Sequence, residues 1–268
     1  MQETRQDWQR VPLITLPAGK PVRPVSVLYR QLAPQTVVAA HSHNWGQLVY
    51  CSSGVQDVIT PQGRYLLPPD LAVWVPPNMA HEISTLYGAE IASIYVLPDA
   101  MEGLSADSRV LQVSPLLRAL ILEALQLPAD YDWLSPAGRL FRTLRDQIAA
   151  APPASLYLPL PVDPRLRTLC YQLEQDPSLP YTLAQWGQKV GASERTLQRL
   201  FAQETHMSFQ QWRQQLRLQA ALKRLVGSRD AVTTIAADLG YESASTFISM
   251  FRKQCGMTPG EYRQSLQR

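Results

Sequence analysis

Apolar and polar residues follow one pattern over the first hundred residues of the chain and another over the rest. Between Val22 and Val96 the chain divides into short β-type runs separated by Pro, Gly and Asn: VSVLY, QLVYC, VQDVIT, RYLL, LAVWV and IASIYV. Many short strands with turn residues between them are typical of a β-barrel or a β-sandwich.

From about Ser114 the apolar residues recur every three or four positions, as they do in amphipathic helices. SPLLRALILEAL and SPAGRLFRTLRDQIAA both begin with Ser-Pro, which places an N-cap before a proline at the first helical position. The stretch APPASLYLPLPVDP cannot hold a helix, and we interpret it as a semi-rigid linker. From Arg165 the pattern is helical over almost all of the remaining chain.

The helical part contains an internal repeat. LAQWGQKVG, which begins at Leu183, recurs as VTTIAADLG, which begins at Val232. Each copy ends at a glycine that can take the positive φ of a helix end, and a serine then caps a second amphipathic segment. The repeat therefore predicts two helix-turn-helix units, joined by one long helix over SFQQWRQQLRLQAALKRL.

The second helix of each unit is the candidate DNA-reading element. In the first unit, SERTLQRLFAQE buries its leucines and phenylalanine and leaves arginine and glutamine outside. Such side chains can read guanine and adenine edges in the major groove. The alternative is a pair of packing hairpins with no role in DNA binding.

The charge distribution favours the DNA-binding interpretation. From Asp163 to the end there are 14 Lys and Arg against 9 Asp and Glu, a balance of +5, whereas the rest of the chain carries 11 against 13. Basic charge concentrated in one part of a chain is expected where that part contacts a polyanion. A solvated helical surface would have a similar composition.

The stretch from Thr182 to Arg263 closely resembles the DNA-binding domain of the AraC/XylS family of bacterial transcription regulators. TTIAADLGYESASTFISMFRKQCGMTPGEYR carries the specific pattern I-A-x2-L-G-Y-E-S, then F-x3-F-R-K, then G-M-T-P-x2-Y-R. The resemblance implies two recognition helices that enter adjacent major grooves. The DNA-binding residues that it implies are Arg195, Thr196, Gln198, Arg199, Ala244, Ser245, Thr246, Ser249 and Arg252. The second recognition helix offers mostly small side chains. We expect these side chains to contact the DNA backbone and position the protein on it more than they read bases.

Three of the four histidines lie in the β-rich part. His41-x-His43-x3-Gln47-x6-Gly54 and Pro76-x-Asn78-x2-His81 resemble the two motifs of cupin barrels, H-x-H-x3–4-E before a glycine and P-x-G-x2-H. AraC/XylS regulators often carry such a barrel at the N-terminus, so the two resemblances support each other. Gln47 stands where the cupin pattern has a carboxylate.

These residues support more than one kind of site. Three imidazoles in one barrel can bind a divalent ion such as Zn²⁺, Ni²⁺ or Fe²⁺. The neutral amide of Gln47 is a weaker donor and removes a charge that would balance the metal. The alternative is a metal-free pocket in which these residues hydrogen-bond one another or a ligand, so no cofactor is required. The aromatic residues assigned to a ligand pocket are Trp45, Tyr50, Trp74 and Tyr95.

Composition excludes several other classes. The N-terminal MQETRQDWQR is polar and no signal-peptide run follows it, LLRALILEAL is too short and too charged to span a membrane, and the three cysteines suggest no disulfide framework. We therefore expect a cytoplasmic protein with no membrane partner.

The expected fold is α+β with two domains, a cupin-like barrel with flanking helices and an all-α domain of two helix-turn-helix units. The predicted segments are a sensor barrel (1–113), a helical dimerisation region (114–150), a linker (151–162) and a DNA-binding domain (163–268), with units at about 182–203 and 232–254. The leucine-rich stripes expected to form a homodimer contact are Leu116, Leu120, Leu127, Leu140, Leu144 and Ile148. The alternative is that these stripes pack against the barrel of the same chain.

The expected function is sequence-specific, ligand-controlled regulation of transcription without catalytic residues. The expected partners are double-stranded promoter DNA, a small-molecule effector, a second copy of the chain and, for an activator, RNA polymerase. The competing class is a cupin metalloenzyme, a dioxygenase or isomerase, fused to a DNA-binding domain.

Overall fold

The computed structural model describes residues 8–12, 21–69, 71–154 and 157–265, which fall into two units. The first ends at Tyr157 and the second begins at Leu158. The expected combination of a β-rich N-terminal domain with a helical C-terminal domain is confirmed.

The N-terminal unit consists mainly of short strands. They are β1 (Gln9–Val11), β2 (Val25–Leu32), β3 (Thr36–His41), β4 (Gly46–Gly54), β5 (Gln56–Thr60), β6 (Gly63–Leu67), β7 (Leu71–Val75), β8 (His81–Thr85), β9 (Ala89–Val96) and β10 (Arg109–Gln112). A further strand, β11 (Tyr157–Pro159), spans the boundary between the units. All six predicted runs are strands, but β3 and β8, which carry two of the histidines, were not among them. TVVAAH and HEIST are short runs in which polar residues take a large share of the positions.

Two sheets form the barrel. One has the order β1-β3-β8-β5-β6, with β1 and β3 parallel and the other neighbours antiparallel. The other is antiparallel throughout, with the order β10-β7-β4-β9-β2. Side chains from both sheets meet in a buried core that includes Val38, Val49, Val73 and Ile91. This core fills the barrel interior.

The second sheet is buried on its outer face as well. Two helices, α1 (Pro115–Ala124) and α2 (Pro136–Ala150), pack there and share a second core with Leu48 and Ile94 of the sheet. Ser114 and Ser135 cap these helices, each accepting a hydrogen bond from the backbone three residues on, as the Ser-Pro pattern predicts.

Most of the apolar stripe assigned to a dimer contact packs inside the unit instead. Leu144 and Ile148 are fully buried in the helix–sheet core, and Leu120, Leu127 and Leu140 pack against its edge. The prediction is wrong for Leu144 and Ile148, because the outer face of the sheet is itself apolar and buries them. Leu120, Leu127 and Leu140 are partly buried against the same core. Leu116, at 54% exposed, remains available.

The C-terminal unit is helical. Its helices are α3 (Pro164–Gln175), α4 (Leu183–Val190), α5 (Glu194–Thr205), α6 (Phe209–Gly227), α7 (Val232–Asp238), α8 (Ala244–Cys255) and α9 (Pro259–Ser265). The predicted turn chemistry is present, since Gly191 and Gly240 have φ of 69° and 74° and Ser193 and Ser243 cap α5 and α8. The long helix α6 connects the two units of the repeat.

Part of the stretch assigned to a linker is bonded to the barrel. Pro152 accepts a hydrogen bond from Gln112 and Ala154 donates one to Val110, so these residues extend along β10. The ring of Tyr157 stacks on Tyr65 at 5.1 Å. Among the described helices, none has both the length and the apolar character required to span a membrane.

Candidate functional site

The strand pairing of the first sheet brings two histidines together. His41 is the last residue of β3 and His81 is the first of β8, and the register places them opposite each other. His43 lies beyond the end of β3, in the turn that leads to β4. The turn therefore positions His43, whereas strand pairing positions His41 and His81.

The three imidazoles form one cluster. Their candidate ligand nitrogens all lie within 4.8 Å of one another, and this cluster of the described residues contains no carboxylate or thiol. The ring centroids of His41 and His81 are 4.2 Å apart, and the ring of His43 lies 5.1 Å from that of His81. The sequence motifs thus correspond to a single site.

Backbone carbonyls fix the orientation of all three rings. The Nδ1 atoms of His41, His43 and His81 lie 2.8 to 2.9 Å from the carbonyl oxygens of residues 39, 45 and 79, respectively. A carbonyl only accepts, so Nδ1 carries the hydrogen and the lone pair of each neutral ring is on Nε2. This arrangement is the one that orients histidines around metal ions.

Gln47 joins the cluster from β4 of the second sheet. Its Oε1 lies 3.0 Å from His43 Nε2 and 3.1 Å from His81 Nε2, and its Nε2 donates to Ser93 Oγ at 3.0 Å. Two nitrogen lone pairs therefore meet an oxygen lone pair. A cation between them satisfies all three atoms, and so does the reversed amide, whose NH₂ group would donate to both rings while its oxygen accepts from Ser93.

Burial favours the uncharged form of His41 and His81. Desolvation lowers the pKa of His81 to about 3, and it also lowers the pKa of His41, where His43 adds a smaller repulsion. His81 is 1% exposed and Gln47 is 3% exposed. At neutral pH, His81 is therefore a neutral donor.

Asn78 explains a departure from the cupin motif. It stands where the motif has glycine, and its φ is 63°, in the left-handed region that glycine and asparagine enter most easily. Its N–H donates to the carbonyl of His43 at 2.7 Å. Asn78 thus performs the backbone role of the missing glycine and ties the loop before β8 to the His43 turn.

Only two of the four aromatic residues assigned to the pocket adjoin the histidines. Trp45 stacks on His43 with ring centroids 4.8 Å apart, and Tyr95 meets His43 edge-on at 6.2 Å. Tyr50 and Trp74 belong to the core beneath α1 and α2, outside the barrel, so assigning them to the pocket is wrong. An odd separation along β4 puts Tyr50 on the face opposite Gln47, as alternation requires.

The residues assigned to the first recognition helix form an exposed surface on α5. Arg195, Gln198 and Arg199 are exposed, while Thr196 is half-buried and bonds the capping Ser193 through its hydroxyl at 2.8 Å. Gln198 Nε2 donates to Glu194 and Arg199 Nη1 donates to Gln203, contacts that hold both side chains along the helix. The basic and amide groups therefore stand together on the solvent side.

The equivalent surface of α8 consists mostly of small polar side chains. Ser245, Thr246, Ser249 and Arg252 are exposed, and Ala244 is half-buried at the helix start. Ser245, Ser249 and Arg252 share one helix face at spacings of four and three. Arg252 is the one cation among the assigned residues of α8, and it lies in the last turn of the helix.

A buried arginine on α6 connects the two halves of the helical unit. Arg217 is 9% exposed, and its Nε donates to the carbonyl of Pro177, in the segment before α4, at 2.9 Å. Its guanidinium lies 5.3 Å from the ring centroid of Tyr241, in the turn between α7 and α8. A Cβ at Gly240 would be 2.8 Å from Arg217 Nη2 and 2.9 Å from Ser178, so the second turn packs directly on that segment.

A second arginine on α6 continues this connection. Arg224, two turns beyond Arg217, donates to Asp230 at 2.6 Å and to Asp238 of α7 at 2.7 Å. These contacts fix α6 against the second helix-turn-helix unit. The connecting helix is therefore held to both halves of the repeat by its own arginines.

Sequence reasoning missed Ser93 and Arg217. The signal for Ser93 was a lone hydroxyl two residues before Tyr95 in the apolar run IASIYV, where alternation puts both on one face. The signal for Arg217 was an arginine between two leucines of the connecting helix. Neither signal identifies the hydrogen-bond partner, because Gln47 is distant in sequence from Ser93 and Pro177 is distant from Arg217.

Comparison with known proteins identifies families for both units. The family described as AraC-like ligand binding domain matches residues 23–160, and the one described as Helix-turn-helix domain matches residues 186–265. The chain is 35% identical over 222 residues to the HTH-type transcriptional regulator NimR of Escherichia coli (strain K12), covering 83% of this chain and 81% of that protein. It is 26% identical over 242 residues to the HTH-type transcriptional activator RhaR of Yersinia pseudotuberculosis, covering 89% and 73%.

Among solved structures, the chain resembles a DNA-binding transcriptional dual regulator from Escherichia coli K-12. The identity is 30% and the TM-score is 0.36, over 39% of this chain and 94% of that chain.

The contacts of Arg217 predict that it fixes the placement of α5 relative to α8. Arg217→Met keeps an apolar stem but leaves the Pro177 carbonyl unpaired, at a cost of about 1–3 kcal/mol in the free energy of unfolding. Pulsed electron paramagnetic resonance between spin labels at Ala202 and Gln254 should give one narrow distance distribution in the parent and a broader one in the variant. Arg229→Met, which removes an exposed charge, is the control, and equal distributions in both variants would contradict the prediction.

Proposed function

Since the chain belongs to the AraC family of transcriptional regulators, we propose that occupancy of its histidine cluster controls how its two recognition helices bind promoter DNA. The observation that carries this proposal is the convergence of three imidazoles and Gln47 in the ligand-binding unit of a chain that also carries a helix-turn-helix domain. One relative is named an activator, so we include RNA polymerase as the partner of an activating form.

Base reading is assigned mainly to α5. Arg199 and Arg195 present guanidinium groups that can donate two hydrogen bonds to guanine, and Gln198 can pair with adenine. The serines and threonine of α8 are suited to phosphate contacts and carry less sequence information. The first unit should therefore set the sequence preference, and the second should set the register on the duplex.

Arg199→Ala should weaken binding to an operator obtained by in vitro selection by about 1–3 kcal/mol, because a bidentate guanine contact is lost. Binding to random DNA should weaken much less. The measurement is fluorescence anisotropy on both DNAs, with Arg229→Ala as the control for loss of one exposed charge. Equal losses on both DNAs would mean that Arg199 contacts only phosphate.

The residues of the cluster fit a divalent ion. Ligand atoms that bind a tetrahedral Zn²⁺ at 2.0–2.1 Å are about 3.3 Å apart. The separations of Gln47 Oε1 from the two imidazole nitrogens, 3.0 and 3.1 Å, are within a few tenths of an ångström of this value. We propose His41, His43, His81 and Gln47 as the ligands of Zn²⁺, Ni²⁺ or Fe²⁺. Such an ion would provide an attachment point for a small-molecule effector.

His43→Ala should abolish the transcriptional response to the compound that induces the parent protein, because it removes one ligand and the stacking partner of Trp45. Reporter transcription and metal content per chain are measured together, with the exposed neighbour Ser42→Ala as the control. DNA binding should persist, since no histidine of the cluster lies in the helical unit. Normal induction in His43→Ala, with no metal in the parent, would show that the cluster is an ordinary part of the barrel.

The competing interpretation, a metalloenzyme, predicts a different result for the same purified protein. It would need a near-stoichiometric ion and would turn over substrate, which an oxygen-consumption assay of the iron-loaded protein detects. The regulatory proposal expects no turnover.

We assign the homodimer contact to the exposed face of α1. Leu116 and Leu122 are 54% and 50% exposed, and Ala119 lies between them on the same face. The exposed face of α2 carries Arg139, Thr143 and Asp146 and is less suited to an apolar contact. The contact therefore involves fewer residues than the sequence stripes suggested.

Leu122→Glu should raise the dimer dissociation constant roughly tenfold or more, because a charge would be buried in an apolar contact. Sedimentation equilibrium of the full chain measures this constant. Leu134→Glu makes the same change at a residue that is 77% exposed in a loop and should have no effect. A monomeric parent at micromolar concentration, or equal dissociation in both variants, would remove the assignment.

A further inference from the structure

We propose that the histidine cluster binds its divalent ion together with a small anion, and that the effector therefore presents an anionic oxygen group such as a carboxylate. This inference rests on the proposed metal site and specifies the chemical class of its ligand. It follows from the charge of the donors, their burial and the groups beside them.

None of the four donors carries a negative charge. The backbone carbonyls of residues 39, 45 and 79 hold the Nδ1 hydrogens of the three histidines, so each ring would bind an ion through the lone pair of Nε2. The fourth donor, Gln47, is an amide, where a carboxylate would contribute one negative charge. An ion held by this set keeps its full +2 charge.

The site is too buried for that charge to be left unbalanced. Gln47 and His81 are 3% and 1% exposed, and an isolated charge in such surroundings is strongly disfavoured. His41 and His43 are only half-buried, and Ser42 and Asn44 between and beside them are exposed. A small anion can therefore reach the cluster through the turn of residues 42–45 and supply the missing charge.

The neighbouring groups favour an anion. The indole Nε1 of Trp45 is buried and has no acceptor among the described residues, and its ring lies parallel to that of His43. An unpaired buried N–H is costly, and an anionic oxygen bound beside His43 would satisfy it. Tyr95 meets both rings edge-on.

The test uses Zn²⁺ and acetate as probes on the full chain. Isothermal titration with Zn²⁺ at neutral pH, with and without acetate, should show that acetate tightens Zn²⁺ binding by about tenfold, within the usual range of coupling between two ligands. By reciprocity, acetate should bind the Zn²⁺-loaded protein about tenfold more tightly than the metal-free protein. A titration without protein corrects for zinc acetate formed in solution.

Gln47→Glu provides the missing charge within the chain. It should bind Zn²⁺ more tightly than the parent without acetate and should lose the acetate effect. Gln62→Glu makes the same change at an exposed position and should behave as the parent. Trp45→Phe keeps an aromatic ring but removes the N–H, so it should retain Zn²⁺ binding and show a weaker acetate effect. Circular dichroism establishes that each variant is folded.

The outcomes separate this inference from the proposal beneath it. If the parent binds Zn²⁺ with the same affinity in the presence and absence of acetate, the inference of a bound anion is wrong and the proposal of a metal site is retained. An acetate effect that survives in both Gln47→Glu and Trp45→Phe also overturns the inference. If neither the parent nor Gln47→Glu binds Zn²⁺, the metal site itself is wrong.

Discussion

Burial of both faces of one sheet is the constraint on which the N-terminal unit depends. Side chains alternate along β4 between the barrel interior and the core under α1 and α2, so Gln47 and Val49 face inward while Leu48 and Tyr50 face the helices. Because the outer face is apolar, it takes up the leucines of the two helices. The interior face carries the polar pair of Gln47 and Ser93 beside apolar residues such as Val49.

The barrel brings donor atoms from several elements to one centre. Strand pairing places His41 opposite His81, the following turn adds His43, and Gln47 reaches them from the other sheet. Backbone carbonyls then determine which nitrogen of each ring faces the centre. Four neutral donors in a largely buried place favour a ligand that brings its own negative charge, and this separates the site from one built around a carboxylate.

In the helical unit, two similar repeats carry different surfaces. The caps and positive-φ glycines are the same in both, because they determine how each helix begins and ends. The exposed faces differ, with arginines on α5 and small hydroxyl side chains on α8. Arg217 and Arg224 hold the connecting helix to both halves, so the spacing of the two surfaces depends on polar contacts as well as on apolar packing.

Sequence patterns identified the helices, six of the strands, the repeat and the family. Helix caps, turn glycines and apolar periodicity depend on residues a few positions apart, so Ser114, Ser193 and Gly240 could be assigned without a structure. The motif spacing also identified the three histidines and Gln47 as one group. The alternation of side chains along β4 could have excluded Tyr50 from the pocket. Tyr50 lies three positions from Gln47, so the two side chains point to opposite faces of the sheet.

What each buried face packs against is visible only in the folded chain. Leu144 and Ile148 look the same in sequence whether they meet a second copy or their own sheet, and only the apolar outer face of that sheet resolves the choice. The partners of Ser93, Asn78 and Arg217 are likewise distant in the chain. Local periodicity indicates that a residue is buried. The residues against which it packs depend on which surfaces the folded chain brings together.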